Sequence, residues 1–502
     1  MSSLNLLFTD ESLFRAVKRY LFMALCVHLL CSFFSTGFIH HDEHYQIVEF
    51  VNLKLGATEA KNLPWEFQDK MRPWFQPGVL YAATKFLQLF GTPSTYTITT
   101  VYRLISACLG WLALVSVLFM FLHFFGKHST NSNFLKKAIF ALCSVWYLPF
   151  FHNRASADNW GACFFLIGLG LLVLDHKKIW APIVVGVLMG LAIEARFQVI
   201  VAVGPVMLFF LIEEARAKRP FLSLGFQLLG GLLFAKAIGV AFDSWGYEQF
   251  TVSQWNYLVK DYELHIKSTV LPNPWYDYFR FAFNRGIPPL SLFFILGVLL
   301  FWTFNPWHIL TAATLPFFLI HTGIQHKELR YIYPVMLLAP MFTALVIEKF
   351  WGRDNWGGKI LNKGRYLFWW ILVPMNFMLL LNVTFTAANG AAPFYHFFES
   401  YLSEKPEEKG LLLQHLGEDP YVMVGHPLMF YRPKNLATAE IKSVEEIKRP
   451  ALVFSRSSDD YFALKAQDNC EKLFLNVPEF ALDFKIGKWP KGSRVWSLFR
   501  CL

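Results

Sequence analysis

The feature that most constrains this chain is the alternation of long apolar runs with short basic connectors between residues 21 and 385. Hydrocarbon offers a backbone no hydrogen-bond partner, so a run crossing a membrane must satisfy itself as a helix. Eleven such stretches can be laid out, at 21–39, 101–125, 138–151, 160–174, 179–193, 197–212, 221–242, 287–304, 307–320, 331–347 and 366–385. Several fall short of the roughly 20 residues of an untilted span, so their ends are read from flanking charge. If Arg15, Lys18 and Arg19 stay on the cytoplasmic side, so do Lys127, Lys136 and Lys137, then Arg216, Lys218 and Arg219, then Lys349 and Arg353. That arrangement obeys the positive-inside rule and exports two long polar loops, about 40–100 and 243–286, with the C-terminal tail.

Composition agrees. The 502 residues are 55% hydrophobic and only 16% charged, against about a quarter charged in soluble domains. The net charge of +10 is spread over connectors instead of forming one face, which argues against nucleic acid as a partner. The first apolar run ends without a small-residue cleavage pattern and is read as a retained helix. Cys26, Cys31, Cys108, Cys143 and Cys163 lie in or beside apolar runs; Cys470 and Cys501 lie in the polar tail, where spacing leaves their pairing open. The expected organisation is a transmembrane catalytic module over 1–386 and an exported α/β domain over 387–502. In the latter, strand-like YVMVG and ALVFS flank the helical ATAEIKSVEEIKR.

Polar chemistry concentrates at two places. The first is HHDEHYQIVEF, residues 40–50, where the first apolar run gives way to charge. Asp42 and Glu43 read as solvated loop carboxylates or as a general base acting on a hydroxyl. Zinc is the weaker reading for His40, His41 and His44, since HxxxH and HExxH spacings are missing. Further along that loop stand Glu66 in LPWEF and Arg72 in MRPWFQP, with Trp65 and Trp74 alongside; they read as an interfacial aromatic belt, or as sugar stacking with orientation of the base. The second place is HKELR, with His326, Lys327 and Arg330. It is ordinary flanking charge or a phosphate-binding set on the same face as the acidic loop, with Arg154, Arg196 and Arg103 near the same boundary. Transfer of a sugar from a lipid phosphate suits this pair of loops. The acceptor hydroxyl needs a base, whereas a phosphate leaves as an anion that cations can stabilise.

These motifs carry a resemblance. FIHHDEHYQIVEF, LPWEF with MRPWFQP, and HKELRYIYPV resemble glycosyltransferase family 22, the multi-pass mannosyltransferases of GPI-anchor and N-glycan assembly and their bacterial relatives; NRASADN and GLAIEARFQ resemble its weaker signatures. The resemblance implies a GT-C fold with about eleven transmembrane helices and inverting transfer from a polyprenyl-phosphate sugar, mannose in type, to a glycan or glycolipid acceptor. It implies Asp42 as base, Glu43 and Glu66 in support, and His326, Lys327 and Arg330 on the donor phosphate. No resident cofactor or metal is expected, and a divalent cation has no support. The expected location is the endoplasmic reticulum or a bacterial inner membrane, with the active face lumenal or periplasmic. The competing class is a secondary transporter or lipid flippase, which would place its ionisable groups nearer the midplane and show repeated halves. A membrane scaffold using the exported tail is the third.

Overall fold

The computed structural model describes residues 10–125, 132–175, 178, 180–267, 273–350, 359, 364, 368–410, 412–484, 489–491 and 493–502. Lys127, Arg353, part of the second loop, and the first residues of the stretches expected at 179–193 and 366–385 lie outside them. The chain forms two compact units, one from 1–32, 69–78 and 103–385, the other from 33–68, 79–102 and 386–502.

Each of the eleven apolar stretches coincides with helix, though not all with full-length spans. Seven helices among the described residues are long and apolar enough to cross a membrane: Glu11–Phe34, Thr95–Phe124, Asn133–His152, Ala157–Leu174, Phe197–Arg216, Phe221–Tyr247 and Leu329–Phe350. Leu290–Phe304 and Ile309–Gly323 pass that test only together and bend by 116°. The bend falls at Asn305 and Pro306, where a residue before proline is pushed out of the helical region. His308 then starts the next helix by accepting a hydrogen bond from the Leu310 N–H at 3.1 Å. Ala181–Ala195 and Trp370–Phe385 are apolar but shorter.

The first unit is held by tight helix contact. A Cβ on Gly186 would lie 2.2 Å from the Leu228 carbonyl oxygen, and one on Gly231 would lie 2.2 Å from that of Ile183. Small residues therefore let Ala181–Ala195 and Phe221–Tyr247 touch backbone to backbone, the usual device where lipid weakens any hydrophobic drive between helices. The segment 69–78 is pinned to the same unit. The Trp74 N–H donates to the buried Asp243 at 2.8 Å, and the Tyr247 hydroxyl donates to the Arg72 carbonyl at 2.8 Å.

In the second unit, strands β1 (Leu413–Leu416), β4 (Thr438–Ile441), β5 (Ala451–Ser455), β6 (Cys470–Leu475) and β7 (Ser497–Cys501) form a sheet in the order β4-β1-β5-β7-β6. Strands β2 (Val422–Met423) and β3 (His426–Pro427) make a small antiparallel pair. The α/β character expected of the tail is present, with β1 parallel to both neighbours and β7 antiparallel to both of its own. ATAEIKSVEEIKR, expected as helix, instead supplies strand β4 and a short turn at Val444–Glu446, because pairing with β1 outweighs its helical composition. Cys470 and Cys501 form a disulfide across the β6–β7 pair. Helix Ala391–Glu404 lays Phe394, Tyr395 and Phe398 on this sheet, in one cluster with Tyr45 and Trp496. Gly37, at φ +92°, meets this helix start so closely that a Cβ would sit 2.7 Å from Asn389 Oδ1.

Candidate functional site

In the second unit, the acidic motif folds as a capped turn. His41–Glu43 begins a helix whose N-cap is His40. The His40 ring nitrogen Nδ1 accepts from the Asp42 N–H at 3.2 Å, while the Glu43 carboxylate accepts from the N–H groups of Ile39 (3.1 Å) and His40 (3.2 Å). This is a capping box with histidine where serine or threonine is usual. Buried Glu43 thereby satisfies two amide donors, and Asp42 is fixed by backbone on both sides. Its Oδ1 lies 3.3 Å from His41 Nε2 and 3.5 Å from His40 Nδ1.

His40, His41 and Asp42 are the group among the described residues that could hold a metal, with ligand atoms within 4.8 Å of one another. His40 Nδ1 accepts from the backbone, so Nε2 is the ring nitrogen that this histidine could offer a cation. His44 has left the group altogether. Its Nε2 is 2.9 Å from Glu49 Oε1 in a fully buried pair, and Glu49 also accepts from Asn52 Nδ2 (3.0 Å) and the Phe430 N–H (2.8 Å). Glu66 accepts from Gln46 Nε2 at 3.1 Å, which ties LPWEF to the same turn of chain.

In the first unit, two of the expected phosphate-binding cations converge on an aspartate, Asp158. Arg196 Nε is 3.0 Å from Asp158 Oδ1 and Arg330 Nη1 is 3.5 Å from Asp158 Oδ2. Arg330 Nε also donates to Glu328 at 2.6 Å, and Glu328 holds His326 Nε2 at 2.9 Å. Both guanidiniums lie over the Tyr331 ring, at 5.5 Å and 5.4 Å. Asp158 opens the helix Ala157–Asp175, Arg196 sits at the extended break after Ala181–Ala195, and Arg330 and Tyr331 occupy the turn Leu329–Ile332. These groups, with Phe317, line a small recess beside Tyr331.

The remaining cations have other surroundings. Lys327 is buried, and its ammonium donates to the carbonyls of Asn273 (3.0 Å) and Ile324 (2.6 Å). Burial pulls its pKa down from the ordinary lysine value. Arg154 is buried against the Phe150 ring at 4.5 Å and donates to the Phe150 carbonyl at 3.2 Å. Asn159 braces the loop around it by donating to the His152 and Arg154 carbonyls. The Arg72 guanidinium lies 5.7 Å from the Tyr257 ring. Arg103 Nε donates to the Ser32 carbonyl at 2.7 Å.

The architecture is that of a multi-pass membrane glycosyltransferase of the GT-C class. The crystal structure of ArnT from Cupriavidus metallidurans bound to undecaprenyl phosphate aligns over 96% of this chain and 97% of its own, with TM-score 0.50 and 13% identity, a likeness of fold. The family model of the Alg9-like mannosyltransferases matches residues 20–410, and the chain belongs to that family. GPI alpha-1,2-mannosyltransferase 3 of Bos taurus is 23% identical over 329 residues, covering 64% of this chain and 58% of that protein. Its Homo sapiens counterpart is 24% identical over 318 residues, covering 62% and 54%. The alignments thus span a little over half the length of these curated relatives.

Proposed function

We propose that this protein is an inverting mannosyltransferase that moves mannose from a polyprenyl-phosphate donor to a hydroxyl of a glycan or glycolipid acceptor. Family membership supports the mannosyl chemistry. The observation that carries the donor class is the pairing of Arg196 and Arg330 about Asp158 over one tyrosine ring. Two guanidinium forks held this way suit a phosphate, which they bind through directed, charge-assisted hydrogen bonds.

In the proposed step, the acceptor oxygen attacks the anomeric carbon while the bond from that carbon to the phosphate oxygen breaks. The bonding pair leaves on the phosphate. Two roles are assigned separately by motif: Asp42, in the second unit, as the base for the hydroxyl proton, and Arg196 and Arg330, in the first, as ligands of a phosphate. Glu43 holds the backbone that presents Asp42. Glu66, Arg72, Arg154, His326 and Lys327 have supporting roles, Lys327 by fixing the HKELR loop to Asn273 and Ile324. The disulfide in the tail suits an oxidising compartment and supports a lumenal or periplasmic placement of that tail.

The test is transfer by the purified protein from polyprenyl-phosphate mannose to a panel of glycolipid acceptors, with products and linkage read by mass spectrometry. A mannosylated product is expected. Absence of any glycosyl product from donors that demonstrably bind would overturn the proposal.

A further inference from the structure

The recess at Asp158 contains one group that the proposed chemistry has not used. His321, in the helix Ile309–Gly323, is 1% exposed and lines the recess beside Arg196 and Arg330. Its Nδ1 lies 2.8 Å from the Phe317 carbonyl oxygen, one helical turn back. A carbonyl only accepts, so Nδ1 carries the hydrogen, and in the neutral ring Nε2 then presents a lone pair. That Nε2 is buried and has no protein hydrogen-bond partner. A buried polar atom is normally paired, and leaving one unpaired incurs its desolvation cost without return. The recess therefore offers two guanidiniums for an anion and, on its wall, an acceptor that asks for a donor.

We infer that His321 Nε2 accepts a hydrogen bond from a hydroxyl of the sugar attached to the bound phosphate, making His321 a donor-specificity residue. This rests on Arg196 and Arg330 binding the donor phosphate. A lipid phosphodiester has no O–H of its own, so the hydroxyl that meets Nε2 belongs to the sugar. A site built to pair with a substrate hydroxyl rejects the analogue lacking it far more strongly than an apolar pocket can. His321 would thus let the recess separate a sugar-bearing lipid phosphate from the bare one.

The test compares binding of polyprenyl-phosphate mannose and sugar-free polyprenyl phosphate to the full chain in nanodiscs at about pH 8.5, where a phosphate monoester is ionised. His321→Phe is expected to weaken the sugar-bearing lipid about tenfold and the bare lipid less than about twofold. His321→Gln, whose amide oxygen can accept, recovers most of the loss. Because each variant reports a ratio between two ligands on one preparation, a partly unfolded fraction cancels. Equal effects on both lipids, or none on either, overturn the inference. So does weaker binding of the bare lipid by His321→Phe at about pH 5.5 alone, since the P–O–H group would then be the donor. On the unaltered protein, one deoxy donor analogue should reproduce the loss; if none does, the inference also falls. Arg330→Ala separates the two readings: if it affects neither lipid, the donor-phosphate proposal fails, whereas loss of both lipids with His321 neutral sinks this inference alone.

Discussion

Glu43 accepts a hydrogen bond from the backbone N–H of His40 at 3.2 Å, so the second carboxylate of the acidic motif is turned back on the chain that precedes it. The two neighbouring acids are therefore expected to respond differently to substitution. Asp42→Asn should lower kcat about a thousandfold with donor binding retained, the scale of a lost general base. Glu43→Gln keeps an acceptor for the cap and should be mild, while Glu43→Ala should cost about 1 kcal/mol of stability. Steady-state kinetics beside thermal unfolding will separate them; a Glu43→Gln variant as inactive as Asp42→Asn would give Glu43 a direct chemical role.

Asp158 is shared by Arg196 and Arg330, and all three side chains are largely buried. Removing the shared anion leaves buried Arg196 without its carboxylate, which typically costs about 3–5 kcal/mol, while Arg330 keeps Glu328. Asp158→Asn should lower the unfolding midpoint in detergent and raise the donor KM more than it lowers kcat, because the guanidiniums lose their alignment. An unchanged midpoint would mean that solvent already screens the pair.

Glu49 accepts from His44, Asn52 and the Phe430 N–H. Glu49→Ala should strand the His44 ring and free the Phe430 amide, speeding hydrogen exchange there and around Asn52 while leaving the apolar helices of the first unit protected. Exchange followed by mass spectrometry checks this, and uniform exchange across the chain would contradict it.

The Cys470–Cys501 disulfide closes a loop with sequence separation 31. By loop-closure entropy, its removal should cost the sheet domain about 3–4 kcal/mol. The double Cys→Ser variant should unfold at lower denaturant, with the change reported by Trp496 and Trp489 fluorescence. Equal stability with and without reductant would show that the unfolded ensemble is not restrained by the bond.

The helices were legible because hydrocarbon demands apolar runs, and every run expected from sequence coincides with helix. The bend between Phe304 and Ile309 was less so: Pro306 marks a break but not an angle, which packing decides. The alternating strands of the tail were readable as α/β, but their order was not, since parallel pairing of β1 with β4 and β5 joins residues far apart in sequence. Within the site, HKELR and HHDE stood out as charge beside apolar sequence. The capping role of Glu43 was latent in the three-residue spacing from His40, masked because histidine seldom caps. Asp158 lay in a weaker signature with no role attached to it, and His321 gave no signal. One lies inside NRASADN and the other ends an apolar helix, and each acquires meaning only from residues that the fold brings to it.

The second unit draws its core from 33–68, 79–102 and 386–502, with Tyr45 packed in the same cluster as Phe394, Phe454 and Trp496. During synthesis, the acidic turn therefore emerges long before its packing partners exist. The first unit's helices within Arg103–Phe385 must be made in between. The loop bearing Asp42 must wait in an unfinished state on the ribosome's timescale, since domains settle as units while the chain elongates. The sheet that this turn's Tyr45 packs with is complete only when Ser497–Cys501 arrives to fill the place between β5 and β6.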